Sequence, residues 1–472
     1  MLNHRSILPY SPPLPRTYAI APFFDTNPQS TILEDGESLI WYNWENGKHA
    51  VLGRDEIRPE RDADGRLVRV EALNLSDDDL GYLRENSYIL TEKRDLSYYR
   101  KALESYLKSL EDEAFMVFFP AGNRCNFRCR YCYENHDEGE MHSDDDTDLF
   151  AYFISRFEGK RLDLGFFGGE PLMRPQWIIS LLSKIDRRIR SSATTNGYLL
   201  TPELFQRLLP LGLRTYQITL DGLPEDHDSM RILYNGKGTW QRIYDNIRST
   251  KDVREFFTIL IRVNFNERSL DMAKLARFFD LFSFARNDLR YRFCFRPIAP
   301  YSEINGMENS DSLACQCDEA AGMRLLSDFN RYAQESGFFL SDPGFYSERG
   351  GLVCYASKIN TYVVNVRKEI QKCTVALDRG INRLSVLTKE NIDSFTVRKA
   401  SEDWDGKLDR LDPKCARCPL FFQCFGRNCA LKNITTGQNV CPCIVGQEDE
   451  IVRMVIRNKE MLRRCAGPRD PA

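Results

Sequence analysis

Residues 114–132 read AFMVFFPAGNRCNFRCRYC. An apolar run as long as a buried strand ends at Pro120, and the polar loop after it carries Cys125, Cys129 and Cys132. That run is the first of six: Phe115–Phe119, Leu162–Phe167, Ile189–Thr195, Thr215–Leu220, Phe257–Phe265 and Tyr291–Ile298. Helix-like stretches lie between them near 145–157, 176–187, 202–210, 239–250 and 270–283. Parallel neighbours need crossover helices, so strands alternating with helices predict a parallel α/β sheet. Six repeats suit a partial (β/α)6 barrel of the TIM type better than a closed eight-fold one, with the chemistry on the loops after the strands.

Outward from 111–298, the chain changes character on both sides. Residues 1–110 hold no cysteine. Their first thirty are punctuated by Pro9, Pro12, Pro13, Pro15, Pro22 and Pro28 and read as an extended arm. Leu39–Trp44 and His49–Leu52, split by Asn46-Gly47, read as a hairpin, and 80–90 and 96–110 as helices. This is a small α+β accessory module. Residues 299–352 read as a connector carrying Cys315 and Cys317, and 353–472 as a cysteine-rich domain closed by an amphipathic helix over 448–464.

At 472 residues the chain has room for about three domains. With 65 basic and 68 acidic residues the net charge is −3, and no global field points to nucleic acid or to a membrane surface. The longest apolar runs are too short to span a bilayer, and residues 1–16 show no secretory core; a cytoplasmic protein is expected. Fifteen cysteines, an odd and clustered set, do not read as disulfides there. Metal ligation or redox chemistry is the expectation.

Cys125-Asn-Phe-Arg-Cys129-Arg-Tyr-Cys132 is a CxxxCxxC. Thiolates hold iron–sulfur clusters, four to a closed cubane, so three leave one iron open. A structural zinc site, the alternative, prefers CxxC pairs matched by a second pair. The loop resembles the hallmark of the radical S-adenosylmethionine (radical SAM) superfamily, including an aromatic residue, Tyr131, before the last cysteine. The resemblance implies a [4Fe-4S] cluster on Cys125, Cys129 and Cys132 whose open iron chelates SAM. It also implies reductive cleavage of SAM to a 5′-deoxyadenosyl radical, with electrons from a donor such as flavodoxin or ferredoxin.

The later strands agree in order. Gly168-Gly169-Glu170-Pro171 is similar to the family's GGEP motif, which implies that Glu170 receives the SAM ammonium and that the glycines let backbone approach a ligand. Thr195-Asn196-Gly197 resembles its TNG turn, and Ile218-Thr219-Leu220-Asp221-Gly222 its ISLDG segment, which implies Asn196, Thr219 and Asp221 beside the cofactor. Arg262, in IRVNFN, matches an arginine that contacts the SAM carboxylate, a charge-assisted pairing.

Beyond the barrel come Cys354, Cys373, Cys415, Cys418, Cys424, Cys429, Cys441 and Cys443. They resemble the SPASM extension of radical SAM enzymes that modify peptides and proteins, and the Cys415-x(2)-Cys418-x(5)-Cys424 core matches fully. The resemblance implies one or two auxiliary clusters. Cys415, Cys418, Cys424 and either Cys441 or Cys443 would hold one; Cys354, Cys373 and Cys429 would hold the other. Cys294, Cys315, Cys317 or the spare late cysteine would complete the second, or an iron stays open to water or a substrate thiolate. Three departures stand out: four residues separate Cys424 from Cys429, the interval between Cys354 and Cys373 is long, and Lys368 stands where the pattern has glycine. Zinc knuckles are the alternative for this half.

Several other residues read as structural. His227 is expected to cap or pack rather than act as a base, Lys184–Arg190 to form a solvated helix face, Trp41, Tyr42 and Trp44 to form core, and Cys465 to have no role. The resembling enzymes that oxidise a protein Cys or Ser to formylglycine carry an aspartate directly after the second SPASM cysteine. Thr374 occupies that place here, with Asp378 four residues on. The expected function is therefore a maturase that takes hydrogen from a ribosomally made precursor peptide and forms a thioether or carbon–carbon cross-link. The alternatives are formylglycine formation and a non-catalytic iron–sulfur or zinc scaffold. Strand addition of a leader peptide to 1–110 is a further expectation.

Overall fold

All six apolar runs form strands of one sheet, because short runs rich in aromatic and β-branched residues can be covered on both faces. They are β7 (Glu113–Phe118), β9 (Arg161–Phe166), β10 (Arg190–Thr195), β11 (Leu213–Thr219), β13 (Thr258–Phe265) and β14 (Tyr291–Pro297), each parallel to the next. The crossover helices α3 (Asp146–Ser155), α4 (Pro175–Ser183), α5 (Pro202–Leu208), α7 (Trp240–Arg248) and α8 (Met272–Leu281) bury Phe150, Trp177, Phe205, Ile243 and Phe278 against it. The computed structural model describes residues 23–92, 94–136, 139–185, 189–299, 315–393, 404, 411–442 and 444–466. Residues 1–22 of the expected arm, and Cys443, lie outside these.

The sheet does not stop where the barrel was expected to. It has ten strands, ordered β15-β14-β13-β11-β10-β9-β7-β16-β17-β18. β15 (Phe339–Leu340) joins β14 from the stretch read as a connector, whose described part also holds the long helix Glu319–Glu335. On the other edge β16 (Thr361–Val364) runs parallel to β7, and β17 (Glu369–Gln371) and β18 (Ser385–Val386) follow antiparallel. The cysteine-rich segment thus begins by extending the barrel sheet. With four, three and two residues, β16–β18 are too short for an alternating pattern to show.

Lys368 closes the β16–β17 hairpin in the left-handed region, at φ 59°, which accounts for glycine in the resembling pattern. A lysine is held there because its Nζ lies 2.9 Å from Oδ1 of Asp146, at the start of α3. Asp146 also accepts from the Ser143 N–H at 2.9 Å and pairs with His142 Nδ1 at 3.2 Å. The hairpin is pinned to the first crossover helix by a charge.

The amino-terminal module has two three-stranded sheets. One is β2 (Ser30–Asp35), β3 (Ser38–Asn43) and β4 (Lys48–Gly53); the other orders β1 (Phe23–Asp25), β6 (Leu67–Ala72) and β5 (Ile57–Arg61). β3 and β4 are the expected hairpin, and Trp41, Tyr42 and Trp44 are core. Helix α1 (Asp77–Glu85) starts on a Ser76/Asp79 capping box and stops five residues short of expectation, since Ile89 bridges to Thr26 instead; α2 is Leu96–Ser109. The module lies on the cysteine-rich segment. Gln29 Nε2 donates to the Ala416 and Cys418 carbonyls at 3.0 and 3.2 Å, Gln423 Nε2 donates to the Trp44 carbonyl, and Tyr106 stacks on Phe425 at 4.5 Å.

The helix α4 ends at Ser183, and Arg190 opens β10 with a two-pronged bond to Asp163. Of the stretch Lys184–Arg190, expected as a helix face, the described residues 184–185 and 189–190 are not helical, and 186–188 lie outside the described residues. The closing helix, Glu448–Ala466, is as expected.

Burial alone would raise the Asp146 carboxyl, but the bonds from His142, Lys368 and Ser143 outweigh it and hold it below its ordinary value of 3.8. Asp146→Asn should therefore cost about 1–3 kcal/mol at neutral pH, read from denaturant midpoints. A depressed carboxyl stabilises above its unfolded value, so the difference from wild type should stay flat from pH 8 to about 5 and shrink only as pH falls below about 4. A difference that already shrinks between pH 8 and 6 would contradict this assignment.

Candidate active site

The three barrel cysteines leave the end of β7 on a loop that folds back over the sheet. β8 (Phe127–Cys129), inside that loop, pairs antiparallel with β12 (Arg231–Leu233), which follows helix α6 (Pro224–Met230) beyond β11. The Phe127 N–H points at Cys125 Sγ at 3.4 Å, and Asn196 Nδ2 lies 3.9 Å from the same sulfur. Burial pushes the Cys125 thiol up to about 12 and also raises Cys129 and Cys132; the three act on one another, Cys125 with Cys129 and both with Cys132. Among the described residues no three His, Cys, Asp or Glu side chains converge as for a single ion. A cluster does not ask for that, since each thiolate binds a different iron.

The Gly168-Gly169-Glu170 turn is docked on this loop. Gly169 N–H donates to the Gly122 carbonyl at 3.0 Å and Glu170 N–H to that of Arg124 at 2.9 Å. A Cβ on Gly169 would sit 2.3 Å from Arg124 O and 2.5 Å from Asn123 O, both backbone atoms that cannot yield. The glycines thus allow close contact between two loops of the chain.

Glu170 is fully buried. Its Oε1 accepts from Thr195 Oγ1 at 2.7 Å and from the Leu172 N–H at 2.9 Å, and its Oε2 from the Asn196 N–H at 2.7 Å. A carboxylate offers about four lone-pair sites, so one direction on Oε2 remains for a ligand cation. Burial raises the carboxyl to about 6 against the pull of these bonds. A second carboxylate, Glu134, was missed in the sequence although it stands two residues after Cys132. It is 8% exposed, and its Oε2 has no partner among the described residues.

Tyr131, Asp221 and Arg262 meet through Asn264, which sequence reasoning passed over although it lies on the same strand face as Arg262. The Tyr131 hydroxyl donates to Asp221 and receives bonds from Asn264 Nδ2 at 3.0 Å and Arg231 Nη1 at 2.9 Å. The Asn264 N–H donates to Asp221 Oδ1 at 2.8 Å, and Arg262 Nε to Asn264 Oδ1 at 2.8 Å. Thr219 stands opposite Arg262 in the β11–β13 register. His227 is structural. Its Nδ1 accepts from the Asp221 N–H at 3.0 Å, so its Nε2 donates to Thr239 Oγ1 at 2.9 Å, and burial holds the ring well below its ordinary value, hence neutral.

The later cysteines fall into two groups. Burial, then Cys424, Cys418 and more weakly Cys441, raises the Cys415 thiol to about 12, and Cys441 also acts on Cys418 and Cys424. Cys354, Cys373 and Cys429 gather around Ala356, Ala376, Trp404 and Ala430. Cys294 lies across from Arg262 in the β13–β14 register, Cys315 Sγ packs 3.8 Å from Met230 Sδ, and Cys317 lies beside Gly322. Thr374 shares a 2.7 Å bond with the Tyr355 hydroxyl, and Asp378 is exposed. Cys465 is exposed.

These residues suit SAM and an iron–sulfur cluster on what the structure leaves open. Three half-buried thiols share one loop, Glu170 keeps an acceptor direction, Glu134 Oε2 has no partner among the described residues, and Arg262 offers a cation for a carboxylate. Residues 119–277 match the family model of the radical SAM superfamily, and this part of the chain is a radical SAM domain. The curated relatives are partial. A GTP 3′,8-cyclase of Nostoc punctiforme is 31% identical over 138 residues, 28% of this chain and 42% of that protein. A tungsten-containing aldehyde ferredoxin oxidoreductase cofactor-modifying protein of Pyrococcus furiosus is 34% identical over 111 residues, 23% of this chain and 31% of that protein. The chain thus spans less than half the length of each of these two relatives.

Solved folds match more widely. Native anSMEcpe with bound AdoMet and Cp18Cys peptide has a TM-score of 0.55 at 17% identity, covering 75% of this chain and 99% of that one. Streptococcus suis SuiB bound to precursor peptide SuiA has a TM-score of 0.51 at 16% identity, covering 88% and 98%.

Gly169→Ala should lower iron bound per chain after anaerobic reconstitution and weaken SAM binding about tenfold or more, equivalent to ~1.4 kcal/mol of misfit. Gly81→Ala, whose Cβ would meet nothing within 4 Å, is the control. Equal SAM affinity by equilibrium dialysis in the two variants would contradict the close contact of the loops.

Proposed function

We propose that the chain is a SPASM-type radical SAM maturase of a ribosomally made peptide. The observation that carries this reading is the join between the two halves of the site. β16, from the cysteine-rich segment, pairs directly with β7, whose end launches the Cys125 loop. The Cys354 and Cys373 segment therefore flanks the barrel's own sheet edge, and the Cys354 N–H donates to the Arg427 carbonyl, between Cys424 and Cys429. The breadth of the likeness to SuiB, solved with a precursor peptide, and to anSMEcpe, solved with a peptide, supports a peptide substrate.

In this reading Cys125, Cys129 and Cys132 hold a [4Fe-4S] cluster. Glu170 and Glu134 receive the ammonium of SAM and Arg262 its carboxylate, with Thr219 and Asn196 alongside. When bound, cluster and SAM supply the radical chemistry that removes a hydrogen atom from a substrate carbon. Tyr131, Asp221 and Asn264 hold the pocket wall in place. Cys415, Cys418, Cys424 and Cys441 would hold one auxiliary cluster, and Cys354, Cys373 and Cys429 the other. These would take the surplus electron as a thioether or carbon–carbon bond closes, and a flavodoxin or ferredoxin would supply the reducing electron. The outer strands β4 and β5, which have no second strand partner among the described residues, offer edges for a leader peptide, on a module already seated on the Cys415–Cys424 segment.

Formylglycine formation has less support, because the hydroxyl of Thr374 stands where a carboxylate base is needed and is bonded to Tyr355. The test is anaerobic co-expression with the peptide of a small neighbouring reading frame, followed by intact mass before and after thiol alkylation. A loss of two hydrogens per event is expected, with one thiol protected for a thioether or all thiols free for a carbon–carbon link. An unchanged peptide mass from a preparation that cleaves SAM would overturn the reading.

A further inference from the structure

Arg231 is one of the few arginines buried among the described residues, at 7% exposure. Its place is set by backbone. In the β8–β12 ladder it stands directly opposite Cys129, and its carbonyl accepts from Thr239 Oγ1 at 2.7 Å, the same hydroxyl that receives the His227 ring. Its guanidinium lies 5.8 Å from the Phe127 ring centroid and 5.9 Å from that of Tyr131, and Nη1 donates to the Tyr131 hydroxyl. Nε is buried with no partner among the described residues. The groups of negative character that face this cation are the Cys129 sulfur, the Tyr131 oxygen and Asp221.

Burying a cation costs several kcal/mol unless something negative faces it. Tyr131 is neutral, and Asp221, bonded to the Tyr131 hydroxyl, supplies one negative charge toward the cation. A thiolate at Cys129, directly opposite in the ladder, would add a second negative charge, which a cluster requires and a free thiol does not supply.

We infer that Arg231 is a positioning residue for the cluster, holding a fixed positive charge against the Cys129 thiolate and fixing Tyr131 against Asp221. This rests on the reading that Cys125, Cys129 and Cys132 hold an iron–sulfur cluster. Reduction adds an electron to an already anionic cluster, so a nearby cation favours the reduced form and raises the potential. Removing the charge makes the cluster harder to reduce.

The test is a potentiometric titration of the reconstituted protein followed by electron paramagnetic resonance. The signal of interest is the one whose shape changes when SAM is added. Arg231→Gln should move its midpoint to more negative potential, while Arg231→Lys, which keeps the charge, should stay near wild type. Tyr131→Phe, which loses the hydroxyl but leaves the cation, should also stay near wild type. Arg231→Gln failing to load iron where Arg231→Lys loads it equally supports the inference, since charge is then needed for assembly. A Gln midpoint equal to wild type, an equal shift in Gln and Lys, or loss of iron in both overturns it. Absence of any SAM-sensitive signal in the wild type would instead overturn the cluster reading itself.

Discussion

Two backbone hydrogen bonds, from Gly169 N–H to the Gly122 carbonyl and from Glu170 N–H to the Arg124 carbonyl, hold this site together. They bring the loop after β9 into contact with the loop after β7, closer than any side chain at 169 permits. Everything with a chemical role hangs from that contact. It sets the Cys125 loop over the sheet and turns the Glu170 carboxylate inward to meet the Thr195 hydroxyl and the Asn196 N–H from the next strand. Three consecutive strand ends are thereby tied to one buried anion. Such an anion is stable in a low-dielectric site only because donors surround it, and the same donors fix where its remaining lone pair points.

A second tie comes from the far side of the sequence. β16–β18 extend the sheet beyond β7, and the Lys368–Asp146 pair pins their hairpin to α3. The Cys354 and Cys373 segment is therefore as rigidly placed as a barrel loop. The amino-terminal module adds a third, through Gln29, Gln423 and the Tyr106–Phe425 stack. A peptide gripped by that module would be held by the same body that carries the Cys415 group. Preorganisation of this kind is what radical chemistry asks of a protein, whose part is to position and to exclude water.

The barrel was legible because its strands are apolar runs of six to eight residues, and because the motif residues recur at strand ends, where parallel α/β folds place their sites. What stayed hidden depends on register or on contacts distant in sequence. Arg231 looks like any loop arginine until β12 is paired with β8 opposite Cys129. Lys368 looked like a flaw in a pattern, and its left-handed backbone makes sense only beside Asp146, more than two hundred residues away. Cys441 was indistinguishable from Cys443 in the sequence; the structure places Cys441 with Cys415, Cys418 and Cys424, while Cys443 lies outside the described residues. Two-residue strands such as β15 carry no periodicity to read.

In the proposed reading the Cys125 loop and Glu170 together form a site that cleaves SAM reductively. The most direct measurement is 5′-deoxyadenosine released from SAM by the anaerobically reconstituted protein with dithionite. It would be made on wild type and on the variant with Cys125, Cys129 and Cys132 all changed to Ala, with iron counted in each. The wild type should release it and the variant none, while the variant keeps the iron of its later cysteines and loses about one cluster's worth. Release that persists in the variant, or a wild type that binds iron fully and releases none, would contradict it.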